Sequence, residues 1–493
     1  MSTPNYGDQP GPNGQFQGQV PQQGAYNPQF QGQVPAPSPN GQFQGQAPAP
    51  GEKKSRGKMA TIISVIVVAI LVVVGGGAFA LSRLVVGGYK SPDALAQSID
   101  SAFAKNSLVS LAGAPSREEL NAATAWQKDY KHNGGADWSK LMDLKALKDY
   151  VDQIDIKKSE MEYTVDTKSD QVALITITKW EGDVEVKPEL ADKIREHYKE
   201  AKGSDLTANE SQAFDKMKQD IQNKPVFSGN VLENFPNNKL TLISVKENGK
   251  WYLSGYMTIA EQFLGTDSAQ PNYSANFTDV KGASSPEEAV SGMVDALRNG
   301  ASIGSEDVYR YLDLPERRVA AVYGGGSSSS EYSASDMGDN GVQVTWGLSS
   351  TKVSGGAIVN LGTTSITMGQ YKVEFNGDSL TVSYPDTDTR TFRTTTKTMT
   401  TNYTEGLVNP ERLGVFTVED ANGWHVSLVR TIGNLNLLAA SDDAVNQAID
   451  GLWSATGSHD VDVSKDEMRD LALNNKPVGA LLVIGWNFAK NMK

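Results

Sequence analysis

The most constraining feature of the chain is a phrase that it carries twice. Residues 248–259 read "NGKWYLSGYMTI" and residues 422–432 read "NGWHVSLVRTI". In both, the turn-forming pair Asn-Gly precedes a tryptophan and an alternating run, the pattern of a hairpin's second strand. Two copies of one closing hairpin predict two units of one fold. The equivalent positions are Trp251, Ser254, Thr258 and Ile259 in the first copy and Trp424, Ser427, Thr431 and Ile432 in the second.

The two units also begin alike. Ser91 opens "SPDALAQSIDSAFAKN" and Ser285 opens "SPEEAVSGMVDALRNG", where serine caps a helix and proline occupies its first turn. Ser116 and Glu119 then have the spacing of a capping box before a second helix. Period-two segments follow, which predict antiparallel strands. Helices followed by strands give an α+β fold class with a curved antiparallel sheet in each unit.

With 493 residues, the chain is long enough for several domains. We predict a disordered Gln/Gly/Pro-rich cytoplasmic tail over 1–58, a transmembrane helix over 59–86, a first extracytoplasmic α+β domain over 90–265 with a helical insertion at 187–224, a linker over 266–283, a second such domain over 284–440 and a helical extension over 441–493. Within the extension, the short apolar run "VGALLVIGW" reads as a buried strand or a docking segment.

The membrane prediction depends on a single uncharged stretch. Residues 59–82 carry no charge and exceed the ~20 residues that a helix needs to cross a bilayer. Four basic residues within 53–58 precede it, which places the N-terminus in the cytoplasm and the C-terminal domains outside. The stretch is longer than the apolar part of a cleaved signal peptide, which favours an uncleaved, single-pass signal anchor in the cell membrane. Gly76 and Ala80 would allow a dimer through this helix.

The tail holds three near-copies of one phrase. They begin at Asn13, Asn27 and Asn40, and such low-complexity sequence buries too little apolar surface to fold. A solvated tail is the simpler interpretation, and evenly spaced phenylalanine anchors (Phe16, Phe30 and Phe43) for a partner or for self-association are the alternative. The chain as a whole has a net charge of −13 and no cysteine. These properties argue against nucleic acid as a partner and exclude disulfides and thiolate chemistry.

With its "SP(D/E)xA" helix starts and its "NGKWYLS" closing hairpin, the chain resembles the nuclear-transport-factor-two-like (cystatin-like α+β) fold. More closely, it resembles single-pass actinobacterial membrane proteins that carry such domains outside the membrane. The resemblance covers about 90–265 and 284–440. It implies helices inside the concavity of a curved sheet, often beside a conical pocket. The family includes enzymes, ligand binders and accessory domains, so the resemblance alone assigns no activity.

The sequence predicts no catalytic, cofactor-binding or metal-binding residue and no cofactor. The four histidines have no ligand-like spacing, and the acidic run from Asp460 has Lys465 and Leu471 where a calcium loop needs glycine and glutamate. A cluster of Tyr130, His132 and Asp137 falls in a loop-like segment and is not assigned a role. Because neighbours in a strand face opposite sides, Trp424 and His425 are expected to divide between core and solvent.

These observations favour a non-enzymatic, membrane-anchored cell-envelope protein. Its tandem outer domains would bind a partner protein, a wall polymer or an apolar ligand, since doubled modules raise effective concentration. The predicted partners are the lipid bilayer through residues 59–82 and an envelope protein or wall polymer, with no nucleic acid. One alternative is a transmembrane sensor that reports an external ligand to the tail. Another is an enzyme that uses a cone-shaped pocket.

Overall fold

The computed structural model describes residues 87–132, 138–141, 144–264, 270–325, 342–388, 390–435, 437–456 and 464–490. Contacts between Cα atoms divide the chain into residues 1–54 and 55–493, and every described residue belongs to the second unit.

The predicted membrane helix is not among the elements of the described residues. Within the described ranges, no helix is long and apolar enough to cross a membrane. The apolar helix Lys476–Ala489, for example, has 14 residues. At ~1.5 Å per residue this gives ~21 Å, which is short of the ~30 Å hydrocarbon core. The finding contradicts the predicted fold class in its transmembrane helix, as well as the single-pass localisation with a cytoplasmic N-terminus and extracytoplasmic C-terminal domains. The predicted tail (1–58) and span (59–86) lie outside the described residues.

The chain is α+β with a curled antiparallel sheet. We call residues 87–264 the first repeat. Its sheet has the order β1-β2-β4-β5, and β3 pairs with the outer part of β2. The elements are α1 (Pro92–Ala104), α2 (Arg117–His132), α3 (Leu144–Val151), β1 (Ile154–Thr167), β2 (Val172–Val186), α4 (Glu189–Lys202), α5 (Ala208–Asn223), β3 (Val226–Asn230), β4 (Leu240–Glu247), β5 (Lys250–Ser254) and α6 (Gly255–Leu264).

The second repeat, residues 283–435, contains two sheets. Their orders are β14-β13-β8-β7 and β12-β11-β10-β9-β6. The elements are α7 (Pro286–Arg298), α8 (Glu306–Tyr309), α9 (Leu314–Tyr323), β6 (Val342–Thr345), β7 (Ser349–Val353), β8 (Gly356–Asn360), β9 (Ser365–Met368), β10 (Tyr371–Asn376), β11 (Ser379–Thr387), β12 (Thr394–Asn402), β13 (Val415–Asp420), β14 (Gly423–Val426) and α10 (Leu428–Leu435).

Each repeat has its own four-stranded antiparallel sheet, and the two sheets have the same strand order. Strands β7, β8, β13 and β14 of the second repeat are equivalent to β1, β2, β4 and β5 of the first. The same side-chain hydrogen bonds recur in both. The Ile243 amide donates to Thr258 Oγ1 at 2.9 Å, and the equivalent Phe416 amide donates to Thr431 Oγ1 at 2.9 Å. What differs is the insertion after the second shared strand, which is α4, α5 and β3 in the first repeat and β9–β12 in the second.

The closing phrase is not strand to its end. Strand β5 stops at Ser254 and α6 begins at Gly255. The reason is a cap, because Ser254 Oγ accepts a hydrogen bond from the Met257 amide at 3.1 Å. The tryptophan of the first copy, Trp251, is buried as a core residue of the sheet.

The C-terminal residues form three helices, α11 (Asp442–Thr456), α12 (Lys465–Asn474) and α13 (Lys476–Ala489). The run "VGALLVIGW", predicted as a strand or docking segment, lies in α13. The Asn475 side chain caps this helix by accepting from the Val478 amide at 3.3 Å, and a proline follows in the first turn. Its apolar face packs on α11 and α12, with Val483 and Ala480 in their common core.

Candidate functional site

The densest group of buried polar and charged side chains lies where the two repeats pack together. Helix α2 packs against α10, and α6 packs against α9. Since α2 and α9 are equivalent in the two repeats, as are α6 and α10, each repeat offers the same pair of helices to the other. This reciprocal packing is the arrangement of a two-fold interface within one chain.

A glutamate in the first turn of α2 bonds to the start of α6. Glu119 accepts hydrogen bonds from the Ser254 hydroxyl, from the Gly255 amide at 2.7 Å and from the Tyr256 amide at 3.2 Å. Ser116 Oγ accepts from the Glu119 amide at 3.2 Å, so only half of the expected capping box forms. The carboxylate stabilises the N-terminus of the next helix instead of its own.

Glu316 occupies the equivalent place in the second repeat. Its Oε1 accepts from the Ser427 hydroxyl at 3.3 Å and from the Val429 amide at 2.9 Å, at the start of α10. Asp313 caps α9, accepting from the Leu314 amide at 2.8 Å. The same bond between an early glutamate and the repeat's last helix therefore recurs in both halves.

One buried ion pair crosses between the repeats. Arg318 Nη1, on α9, donates to Glu247 Oε1 at 2.8 Å at the end of β4, and the two side chains are 1% and 4% exposed. Glu247 also accepts from the Ser116 hydroxyl at 2.5 Å and from the Arg117 amide at 3.0 Å. Because the carboxylate is fully hydrogen-bonded, its burial is compensated only while these donors stay in place.

The preceding arginine, Arg317, contacts an acid of its own repeat. Arg317 lies 3.8 Å from Asp420, which occupies the strand position equivalent to Glu247. It also donates to the Leu312 carbonyl at 2.9 Å. Two adjacent arginines on α9 therefore contact the equivalent acids of two different repeats.

His425 lies beside that second pair and is fully buried. Its Nε2 is 3.1 Å from Asp420 Oδ1, and its Nδ1 is 3.0 Å from Arg317 Nη2 and 2.9 Å from the Arg310 carbonyl oxygen. Burial, and then the Arg317 guanidinium, lower the pKa of His425 below its usual range. Trp424 and His425 were expected to divide between core and solvent. His425 is the core residue, and Trp424 is only partly buried.

The interface carries more acids than bases. We define the interface cluster as five carboxyl and two guanidinium groups: Glu118, Glu119, Glu247, Asp313, Glu316, Arg318 and Arg430. Burial, and then the Glu247 carboxylate, raise the pKa of Glu118, and burial raises the pKa of Glu119. Burial, followed by the Asp313 carboxylate, raises the pKa of Glu316 to about 7. Glu316 is therefore partly protonated near neutral pH.

The residues weighed for chemistry from the sequence are not brought together. The side chains of Tyr130 and His132, like the whole of Asp137 and His459, lie outside the described residues. His197 is buried, and its Nε2 lies 3.0 Å from Asp149 Oδ2 in the first repeat. Neither residue belongs to the interface cluster. In the part of the chain that is described, no three His, Asp or Glu side chains are placed to hold a metal ion.

Sequence reasoning missed the interface cluster, although one signal for it was present. Glu119 and Glu316 lie three residues after the caps Ser116 and Asp313, and each repeat carries an equivalent serine, Ser254 or Ser427, just before its last helix. The cross-repeat pair leaves no such trace, because Arg318 has no charged counterpart at the equivalent position, Asn121.

Comparison with known proteins found no matching family model, no matching curated protein and no matching solved structure. The resemblance to the nuclear-transport-factor-two-like fold stays a prediction.

Proposed function

We propose that the two repeats act together as a rigid, non-enzymatic platform that binds another protein. The observation that supports this most is that the four-stranded sheet of each repeat is covered by side chains of that same repeat. A protein built to enclose a small molecule needs an unfilled concave space with a few polar groups aimed into it.

In the first repeat, α1 lies on the sheet. Leu95 is 0% exposed, and Ile99 and Phe103 share its core. Phe103 meets Trp180 of β2 edge to face, with ring centroids 4.7 Å apart and an interplanar angle of 78°. This aromatic pair and its neighbours fill the space between α1 and the sheet.

In the second repeat, α7 does the same with smaller side chains. Ala289 is 0% exposed and Val290 is 7% exposed, and both pack with Val359 of β8 and Val426 of β14. The equivalent helix of each repeat is thus a structural part of the core. A cone-shaped catalytic or ligand site is the less favoured function for this reason.

The interface cluster contributes rigidity on this proposal. Glu119 and Glu316 accept bonds from backbone amides and serine hydroxyls of their own repeats, and Glu247 accepts from Arg318 of the other repeat. The first two acids position helices within a repeat, and the Arg318–Glu247 pair holds the two repeats at a fixed spacing, so that one partner can contact both. Two sites held at a fixed spacing bind a bivalent partner more tightly than either alone.

Two measurements on the full chain test the proposal. Native and denaturing mass spectrometry should give the same mass, because nothing is enclosed; a constant extra mass would favour an apolar-ligand carrier and contradict the platform. In the native cells, crosslinking should join the wild-type chain to a defined protein. That product should weaken in Arg318→Ala, which removes the cross-repeat pair, but not in Arg195→Ala, which removes a surface pair with Asp215.

A further inference from the structure

Strand β12 is an outer edge with no described strand on one side, and helix α13 contacts it at the Thr401 end. It has nine residues and ends the sheet order β12-β11-β10-β9-β6, so it pairs with β11 alone among the described strands. Its side chains are exposed except for Met399, which is partly buried, and Thr401, which is buried. An edge of this kind offers a row of unpaired backbone donors and acceptors.

The hairpin geometry fixes which backbone groups face outward. The Asp388 amide donates to the Arg393 carbonyl at 3.1 Å, and the Tyr403 amide donates to the Asp378 carbonyl at 3.1 Å. The odd-numbered residues of β12 therefore bond to β11. Because antiparallel ladders alternate, the amides and carbonyls of the even-numbered residues point to the free side. These residues are Thr394, Thr396, Thr398, Thr400 and Asn402.

The edge also lacks the usual protection against pairing. The other long edge strand, β1, carries several exposed charges, which include Lys157, Lys158 and Glu160. Strand β12 has a single charge, Lys397, which already pairs with Asp386 at 2.7 Å. Charged side chains on edges oppose strand addition, and threonine favours strands. β12 therefore presents a neutral, pairing-competent edge.

The outer half of this hairpin stands clear of its own sheet. Strand β10 pairs with β11 only as far as Ser383, opposite Lys372. From Tyr384 onward, β11 and β12 form a two-stranded ribbon in which Pro385 lies opposite Thr396. Proline is tolerated there because that pair makes no ladder bond with β12 and β10 has ended. A second strand added along this part of β12 therefore meets no other strand of the described residues.

We propose that β12 is a self-association edge, which pairs antiparallel with β12 of a second copy about a two-fold axis through Thr398. This register joins only even-numbered residues, so every outward amide meets a carbonyl, with about ten hydrogen bonds in all. Threonine then faces threonine at 396 and 400, which is a favourable cross-strand pair. Lys397 faces Met399 of the second copy, so no like charges are opposed. The edge is complementary to itself in hydrogen bonding and in charge.

The chain has no cysteine, which makes a crosslinking test direct. In Thr398→Cys the two thiols would lie opposite each other, with Cα atoms ~5.5 Å apart, close enough for a disulfide. In the matched variant Thr394→Cys they would be ~27 Å apart, because the register offsets them by about eight residues at ~3.4 Å each. Mild oxidation of the full chain should give a disulfide-linked dimer for Thr398→Cys and none for Thr394→Cys.

A charge swap checks the same register without oxidation. Thr398 is exposed, so Thr398→Lys and Thr398→Asp should fold like the wild type by circular dichroism. Each should sediment as a monomer at micromolar concentrations where the wild type is a dimer, because like charges face each other on the axis. Mixing the two variants should restore a dimer. A monomeric wild type, equal crosslinking at 394 and 398, or a dimer unaffected by these substitutions would each overturn the proposal.

Discussion

At the scale of single residues, the buried ion pair between Arg318 and Glu247 is the contact on which the account depends most. Surface pairs such as Arg195 with Asp215 stay in contact with water and contribute little to the free energy of unfolding. Arg318 and Glu247 are withdrawn from water, so removing one leaves the other charged and buried.

Arg318→Ala should therefore lower the free energy of unfolding by about 3–5 kcal/mol, as for other broken buried pairs. Arg195→Ala serves as the control and should change it by less than about 1 kcal/mol. Chemical denaturation of the full chain measures both. Similar small losses in the two variants would show that Glu247 is not dependent on the guanidinium.

Glu316 predicts a pH dependence with a definite sign. Its pKa is about 7 in the folded chain, against an ordinary value of 4.5. Between these values the folded state binds more protons than the unfolded state, so its contribution is complete below about pH 4.5 and is lost as the pH rises through 7. In Glu316→Gln the fall in stability between pH 5 and 8 should be smaller by up to about 3 kcal/mol. His425, with its lowered pKa, acts in the opposite direction, and the difference between the two profiles isolates Glu316.

At the scale of elements, the sequence predicted the type of each repeat better than its details. The hairpins and N-capped helices follow from local signals such as Ser-Pro and Asn-Gly. Residues 255–259 read as strand because "GYMTI" alternates, yet the Ser254 cap turns them into α6. "VGALLVIGW" was equally ambiguous, since a short apolar run fits a strand or a buried helix, and the preceding Asn475 and Pro477 were the available sign of a helix.

The interface cluster could not be predicted from the sequence. Its pairs join residues distant in sequence, and only packing of α2, α6, α9 and α10 brings them together. A pattern within one repeat cannot show which acid of the other repeat an arginine will meet. The repeated glutamate position was the one feature that could have indicated shared chemistry.

The helix that fills the first sheet gives a prediction of its own. Leu95→Ala should cost about 2–5 kcal/mol because it opens a cavity in the core beneath α1. Leu481→Ala, at a 51% exposed site on helix α13, is the matched control and should cost less than about 1 kcal/mol. Thermal or chemical unfolding compares them. A small loss at Leu95 would mean that the concave face has room, which would revive ligand enclosure.

At the scale of the whole molecule, two copies of one α+β unit pack together through equivalent helices. The repeats differ in their insertions, a helical pair in one and a β-sheet with an open edge in the other. The equivalent helices form the interface between the repeats, and the insertions are where the surfaces of the two repeats differ.

If the interface cluster holds the two repeats as one rigid body, the distance between them is fixed and can be measured. Spin labels at Glu160→Cys in β1 and Lys352→Cys in β7 report the separation of the repeats in a chain otherwise free of cysteine. The account predicts a single narrow distance distribution that broadens when Arg318→Ala is added. A broad distribution in the presence of intact Arg318, or one that Arg318→Ala leaves unchanged, would contradict it.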